Sequence, residues 1–290
     1  PIGALSGMYV AMNFVQARMN PMDSAARAKL SDAEFDAVKD YDLGVLIQPY
    51  LFIGIVIVAL LIAIYFTRMP MNGDSHSGKS LRQSLGELLR VKNYREGVVA
   101  QFFYIGAQVM CWTFIIQYGT RVLMGEGMDE RSAEILSQKF NIAALVLFTC
   151  SRFVCTWFLK YIQPGRLLSI LSVVAMAAVC GVILFTDRTG LYCLVIVSGC
   201  MSLMFPTIYG IALRGLGDNV KVGGAGLIMS ILGGSVFPPL QAAMIDTDCS
   251  VWGLPATNTS FLIPLVCFVV IAVYGHRAYV RHNITHDYNS

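Results

Sequence analysis

The 290 residues are 56% hydrophobic and only 13% charged, with a formal net charge of +3 and a mean hydropathy of +0.62. This balance excludes a water-soluble globular domain, in which about a quarter of residues are charged, and so small a charge surplus points to no nucleic-acid partner. Eight cysteines without one CxxC pair, seven of them inside apolar runs, exclude a disulfide framework or zinc centre, so neither metal nor other cofactor is expected.

Uncharged runs cover residues 1–17, 43–67, 97–120, 140–159 (interrupted by Arg152), 167–186, 189–213, 222–245 and 249–275. All but the first are long enough to cross a bilayer core of ~30 Å as a helix. The predicted fold is an all-α integral membrane bundle with one partial and seven full transmembrane helices. Residues 1–17 lack an initiator Met and the features of a signal peptide, so they read as a helix entered part-way and the chain as truncated at its N-terminus. Gly3 and Gly7 have the small-xxx-small spacing of close helix packing.

The loop 18–48 carries two helix starts, Asn20-Pro21 and the capping box Ser31-Asp32-Ala33-Glu34. Its acidic surplus suits a solvated lid on the outer face. The span 43–67 then closes a first unit, residues 1–67. In the linker 68–96, residues 73–80 match the phosphate-loop pattern GxxxxGK[ST]. That chemistry needs a strand, a helix and a parallel sheet; a membrane span leads in here and no sheet-forming stretch exists, so the segment reads as flexible linker. Leu81, Ser84, Leu85, Leu88 and Leu89 follow on one face of a helix that also carries Arg82, Gln83, Glu87 and Arg90. Such a helix lies in the membrane interface. Residues 97–290 form a six-span bundle and tail.

Within residues 100–118, AQFFYIGAQVMCWTFIIQY, the side chains of Gln101, Tyr104, Gln108 and Trp112 share a narrow helical sector. An amide facing lipid costs several kcal/mol, roughly, so this sector faces protein or a water-filled path. Interhelical hydrogen bonding accounts for any one of the four; four in register, two of them aromatic, suit a small polar ligand. In the fourth span Asn141 and Arg152 fall on one face. An intramembrane arginine is a functional candidate. No span holds a carboxylate, so its partner is a backbone carbonyl, a helix C-terminal end, a ligand or an acid elsewhere in a longer chain.

Pro206, in Phe205-Pro206-Thr207, is expected to kink the sixth span, with Thr207 satisfying a freed backbone group. Gly226, Ser230 and Gly234 form a smooth face on the seventh, and Pro238-Pro239 is expected to break its outer third. That composition suits either a rocking or a statically packed helix. His282 and His286 have helical metal-ligand spacing but read as part of a solvated basic tail. Asn258-Thr259-Ser260 and Asn283-Ile284-Thr285 fit the glycosylation pattern without adding information.

With residues 68–96 inside, the inner segments carry twelve Lys/Arg against five Asp/Glu, and the outer segments eight against thirteen. The positive-inside rule then places the C-terminus in the cytoplasm.

Four segments carry a family likeness: AQFFYIGAQVMCWTFIIQYG at 100–119, SRFVCTWFLKYIQPGRLL at 151–168, MSLMFPTIYGIALRGLG at 201–217 and GLIMSILGGSVFPPLQAAMID at 226–246. Through them the whole chain resembles the L-fucose permease family, sugar–proton symporters of the major facilitator superfamily. It aligns with the last two spans of the amino-terminal half and all six of the carboxy-terminal half. The second segment is a weakened form of the superfamily's short basic turn signature, with Ser151 where Gly is usual.

The resemblance implies a twelve-span transporter of the bacterial inner membrane, two bundles rocking about a central site for a neutral sugar. Four amino-terminal spans, needed for function and bearing the proton-coupling carboxylates, would lie outside this chain. It also implies that Gln101, Tyr104, Gln108 and Trp112 line the cavity with Asn141 and Arg152 opposite, Arg152 as a gate contact. Amides and a tyrosine match sugar hydroxyls, and Trp112 offers a face to the sugar's apolar side. A receptor or structural bundle without transport is the alternative. A membrane-embedded enzyme is disfavoured because the spans hold no carboxylate or histidine for acid–base work.

Overall fold

All regular elements described in the computed structural model are helical; it describes residues 29–67, 81–247 and 253–287, with isolated positions before 29. Among the described residues, seven helices are long and apolar enough to cross a membrane. The chain falls into two compact units, residues 2–77 and 78–290.

In the first unit, α1 runs unbroken from Asp32–Phe66. Its start is the anticipated capping box: the Glu34 carboxylate accepts from both the backbone N–H of Ser31 (3.1 Å) and its hydroxyl (2.8 Å). The capped helix and the second span are one element, not a short outer helix followed by a span. At 1.5 Å per residue it is about 52 Å long, so it emerges well beyond the apolar core. Pro49 lies inside without ending it. Asp42 is buried, pairing with Arg27 at 2.8 Å and accepting from the Asn20 N–H at 2.8 Å. Part of the acidic loop is therefore tied down where a freely solvated lid was expected. From Leu51 to Phe66 the large apolar side chains are exposed within this unit, a surface stable only in lipid or against other apolar protein. The expected helix at 1–17, the Pro21 start and the 73–80 pattern lie largely or wholly outside the described residues.

The second unit comprises α2 (Leu81–Arg90), α3 (Lys92–Gly125), α4 (Glu130–Phe158), α5 (Pro164–Leu184), α6 (Arg188–Met201), α7 (Met204–Leu213), α8 (Val220–Met229), α9 (Gly233–Asp246), α10 (Ala256–Thr259) and α11 (Leu262–Asp287). Helices α6 and α7 form one broken span, as do α8 and α9. α3 is the hub and packs against α4, α6, α7, α9 and α11. Small residues on its buried side, Ala100, Ala107 and Cys111 among them, let its neighbours approach.

α2 does more than lie in the interface. Leu88 is buried against Tyr94, Ala212, Leu216 and Leu227, and Glu87 accepts from Asn219 at 2.9 Å. Leu85 and Leu89 alone of its described leucines remain exposed. α9 continues through Pro238 and Pro239, contrary to the expected break, and the irregular turn falls upstream at Ser230–Leu232. Just past that turn α9 meets α3 closely: a Cβ on Gly233 would lie 2.0 Å from the Phe102 carbonyl oxygen.

Asn258 is buried, and its amide donates to the carbonyls of Val182 and Phe185 at 3.0 Å each. Tyr118 also donates to Phe185, at 2.7 Å. Together they cap α5, so the glycosylation pattern at Asn258 marks a structural cap. The basic tail is helical as far as Asp287, while the side chains of His282 and His286 lie outside the described residues.

Candidate functional site

The centre of the site is the break between α6 and α7. Pro206 has no N–H to give the carbonyl four residues earlier, that of Ser202. That carbonyl instead accepts from Arg152 Nε at 3.2 Å. Next to it, the Met201 carbonyl accepts from the Tyr104 hydroxyl at 3.0 Å, and the Gly199 carbonyl from Ser151 Oγ at 2.9 Å. Thr207 Oγ1 donates at 2.7 Å to the Leu203 carbonyl, which already accepts the Thr207 backbone N–H at 3.1 Å. Contrary to expectation, it therefore does not satisfy the carbonyl that Pro206 frees; Arg152 does. An interrupted helix survives within a span only when its free backbone groups are satisfied in this way. Ser202 is also the C-cap of α6, so Arg152 meets both a backbone carbonyl and the negative end of a helix dipole.

The Arg152 guanidinium lies 5.4 Å from the centre of the Phe148 ring, and Trp112 meets the same ring edge-on at 5.0 Å. Trp112, Phe148, Arg152, the broken turn and Tyr104 thus form one line of contacts from α3 through α4 to α6–α7 and back to α3. The ring of Tyr104 continues it to Phe205, which stacks on Tyr209.

The predicted residues divide by burial. Gln101 and Tyr104 are fully enclosed, Asn141 is buried, and Gln108, Trp112 and Arg152 keep part of their surface. Tyr104 therefore serves the helix break from inside the bundle. Both amide atoms of Gln101, Trp112 Nε1, Asn141 Oδ1 and Ser202 Oγ are buried with hydrogen-bonding capacity unused. Such groups are costly in an apolar interior and suit a polar guest or ordered water.

Gly226, Ser230 and Gly234 gather elsewhere, on the seam with α3. A Cβ on Gly226 would meet the Tyr94 hydroxyl at 2.2 Å; one on Gly234 would meet Val109 and Ile105 at 3.0 and 3.1 Å. Ser230 is buried between them, and Pro238 lies within α9 downstream.

Three contributors escaped sequence reasoning. Phe148 is four residues before Arg152, and Ser202 four before Pro206, so helical spacing and the i−4 acceptor rule point to both. Gln241, fully buried and donating to Ser260 Oγ at 3.0 Å, follows the Pro-Pro step and carried no such signal.

No family model matches the chain. It is 42% identical over 285 residues to the L-fucose-proton symporter of Haemophilus influenzae, covering 96% of this chain and 64% of that protein. It is 28% identical over 279 residues to the Escherichia coli L-fucose-proton symporter, covering 94% of this chain and 60% of that one. Similarity extends to a Brucella abortus glucose/galactose transporter, 26% identical over 252 residues, 87% of this chain and 56% of that protein. Among solved structures, the E. coli fucose:proton symporter FucP superposes with a TM-score of 0.71 at 26% identity, over 96% of this chain and 66% of that one. FucP in an outward conformation, described as a major facilitator superfamily transporter, gives 0.68 at 26% identity, over 94% of this chain and 65% of that one. The chain thus spans somewhat less than two thirds of the relatives it matches, all of them named as transporters. Sequence and fold together make it a relative of the L-fucose permease family of the major facilitator superfamily.

Proposed function

We propose that this chain supplies the sugar-facing wall of a secondary transporter for a neutral monosaccharide, L-fucose or a near relative, driven by proton symport through alternating access. The observation that supports it most is the line from Trp112 through Phe148 to Arg152 and the broken turn. Along it lie the unused polar atoms of Trp112 and Ser202, and Asn141, with its own unused Oδ1, is two turns before Phe148 on the same helix. A sugar needs this combination: an aromatic surface for its apolar side and amide or hydroxyl groups for its hydroxyls. Gln108, half-buried one turn before Trp112, joins the site, and Gln101 and Tyr104 support it from within the bundle.

The uncharged runs of these spans contain no carboxylate able to relay a proton, so coupling is assigned to the part of the relatives that this chain does not match, the four further amino-terminal spans. The setting is a bacterial inner membrane with the basic C-terminal tail in the cytoplasm. Residues 1–67 belong to the amino-terminal bundle, 68–96 link the halves, and 97–290 form the carboxy-terminal bundle, which moves largely as a rigid body.

Sugar binding by the full-length protein tests this. Asn141 Oδ1 has no hydrogen-bond partner within the described protein, so Asn141→Ala should leave thermal stability almost unchanged and weaken L-fucose binding about five- to tenfold, the equivalent of one hydrogen bond. Gln108→Ala should weaken it further without loss of expression. Unchanged affinity in both variants, measured across fucose, galactose and glucose, removes the site.

A further inference from the structure

At the end of the bundle where α3 begins and α11 nears its end, two adjoining recesses open between these helices. The outer one, about 520 Å³, is lined by Lys92, His276, Arg281 and Val280. The deeper one, about 270 Å³, is lined by Arg95, Val99, Val270 and Val273. They share Glu96 and Arg277. Glu96 is bridged by Arg277 at 3.4 Å and by Arg281. Among the residues that line the two recesses, Lys92, Arg95, Arg277 and Arg281 stand against one carboxylate, so the lining carries a positive surplus.

Polarity changes sharply with depth. Val99 lies seven residues along α3 from Lys92, about 10 Å further in, and Val273 one helical turn below Arg277. Both valines are nearly half exposed, and Val266, two turns below Val273, is more than half exposed. A cationic mouth above an open apolar furrow matches an amphiphile with an anionic head and an alkyl tail. The positive end of the α3 dipole lies at the same mouth.

We propose that this furrow is a binding site for an anionic phospholipid, its phosphate held by Lys92, Arg95 and Arg277 and an acyl chain laid along Val99 and Val273. Glu96 limits the affinity by keeping two of the arginines partly neutralised, so the lipid exchanges and is not locked in place. Charge complementarity and the matching drop in polarity select the lipid over a second protein copy, for which the cationic mouth offers no counterpart.

The test is lipid retention by the full-length protein, taken from mixed phosphatidylglycerol–phosphatidylethanolamine nanodiscs and read by native mass spectrometry. Phosphatidylglycerol should be retained in preference. Lys92→Gln and Arg95→Gln should each lower its retention about fivefold, in line with the attraction of one interfacial cation. Lys139→Gln, an exposed cation on α4, outside both recesses, should change nothing. Glu96→Gln should act in the opposite sense and raise retention, which a merely structural ion pair would not do. Soluble glycerol phosphate should not compete, because it lacks the tail. Equal retention of the two lipids, loss of retention in Lys139→Gln alone, full competition by glycerol phosphate, or a dimer in place of lipid adducts would each overturn the proposal.

Discussion

At position 206 the chain gives up a backbone N–H inside a span, where lipid offers no replacement. The Ser202 carbonyl left over is taken by Arg152 at 3.2 Å. Removing the guanidinium should therefore leave a buried acceptor unpaired, at about 1–3 kcal/mol. Restoring the N–H with Pro206→Ala should make Arg152→Ala cheaper. In a double-mutant cycle on the full-length protein the two changes should be non-additive by about 1 kcal/mol, the size seen for directly coupled groups. Additive melting shifts would remove the link between them. Uptake separates structure from gating: if the double variant recovers stability and still fails to transport, Arg152 acts on the sugar path as well as on the helix. Much of this arrangement was readable beforehand. An arginine in a span without carboxylates had few possible partners, a backbone carbonyl among them; the i−4 rule points to Ser202 as that carbonyl, but sequence reasoning did not apply it. What could not be read was that Tyr104 serves the neighbouring carbonyl, because that depends on how α3 meets α6 across 97 residues of chain.

Elements were recognisable by type, and their ends, apart from the Ser31 cap of α1, were not. Uncharged runs underestimate helices whose ends emerge into headgroups or water: α3 covers Lys92–Gly125 where the run covers 97–120, and α4 begins at Glu130 under an Asp129 cap. Lys, Arg and Glu at such ends cost little, since their charged heads reach the interface. Pro238-Pro239 misled for a different reason. Prolines remove hydrogen bonds, but where the backbone yields depends on nearby residues, and the irregularity falls at Ser230–Leu232, upstream of both prolines. The glycine face of α8–α9 should accordingly respond unevenly to methyl groups. On Gly233 a Cβ meets a backbone carbonyl at 2.0 Å, which can move only with α3 itself. On Gly226 it meets the terminal hydroxyl of Tyr94 at 2.2 Å, and a side chain can turn away. Gly233→Ala should destabilise by about 1–3 kcal/mol, the usual cost of overpacking, and Gly226→Ala by clearly less. Equal melting temperatures for the two variants would contradict so close an approach of α9 to α3.

At the scale of the whole molecule, charge rather than packing carries the orientation. The fold places the turn at 159–163 at one end of the second unit and the turn at 126–129, between α3 and α4, at the other. Neither the contacts nor the helices say which end meets the cytoplasm, because a bundle packs equally well either way up. The orientation proposed here rests on the surplus of Lys and Arg on the segments that share an end with residue 160, because translocating cations near span ends is disfavoured. Single cysteines test it in a full-length protein freed of its other reactive thiols. Cys150, exposed on α4, is the first of those thiols to replace. Glu126→Cys gives up only a partly exposed ion pair with Arg188, worth little, and Lys160→Cys removes one exposed cation. A membrane-impermeant maleimide applied to intact spheroplasts should modify position 126 and spare 160; in inside-out vesicles the pattern should reverse. Labelling of 160 from the outside would invert the bundle, bring the acidic loops into the cytoplasm and move the cationic furrow to the periplasmic leaflet.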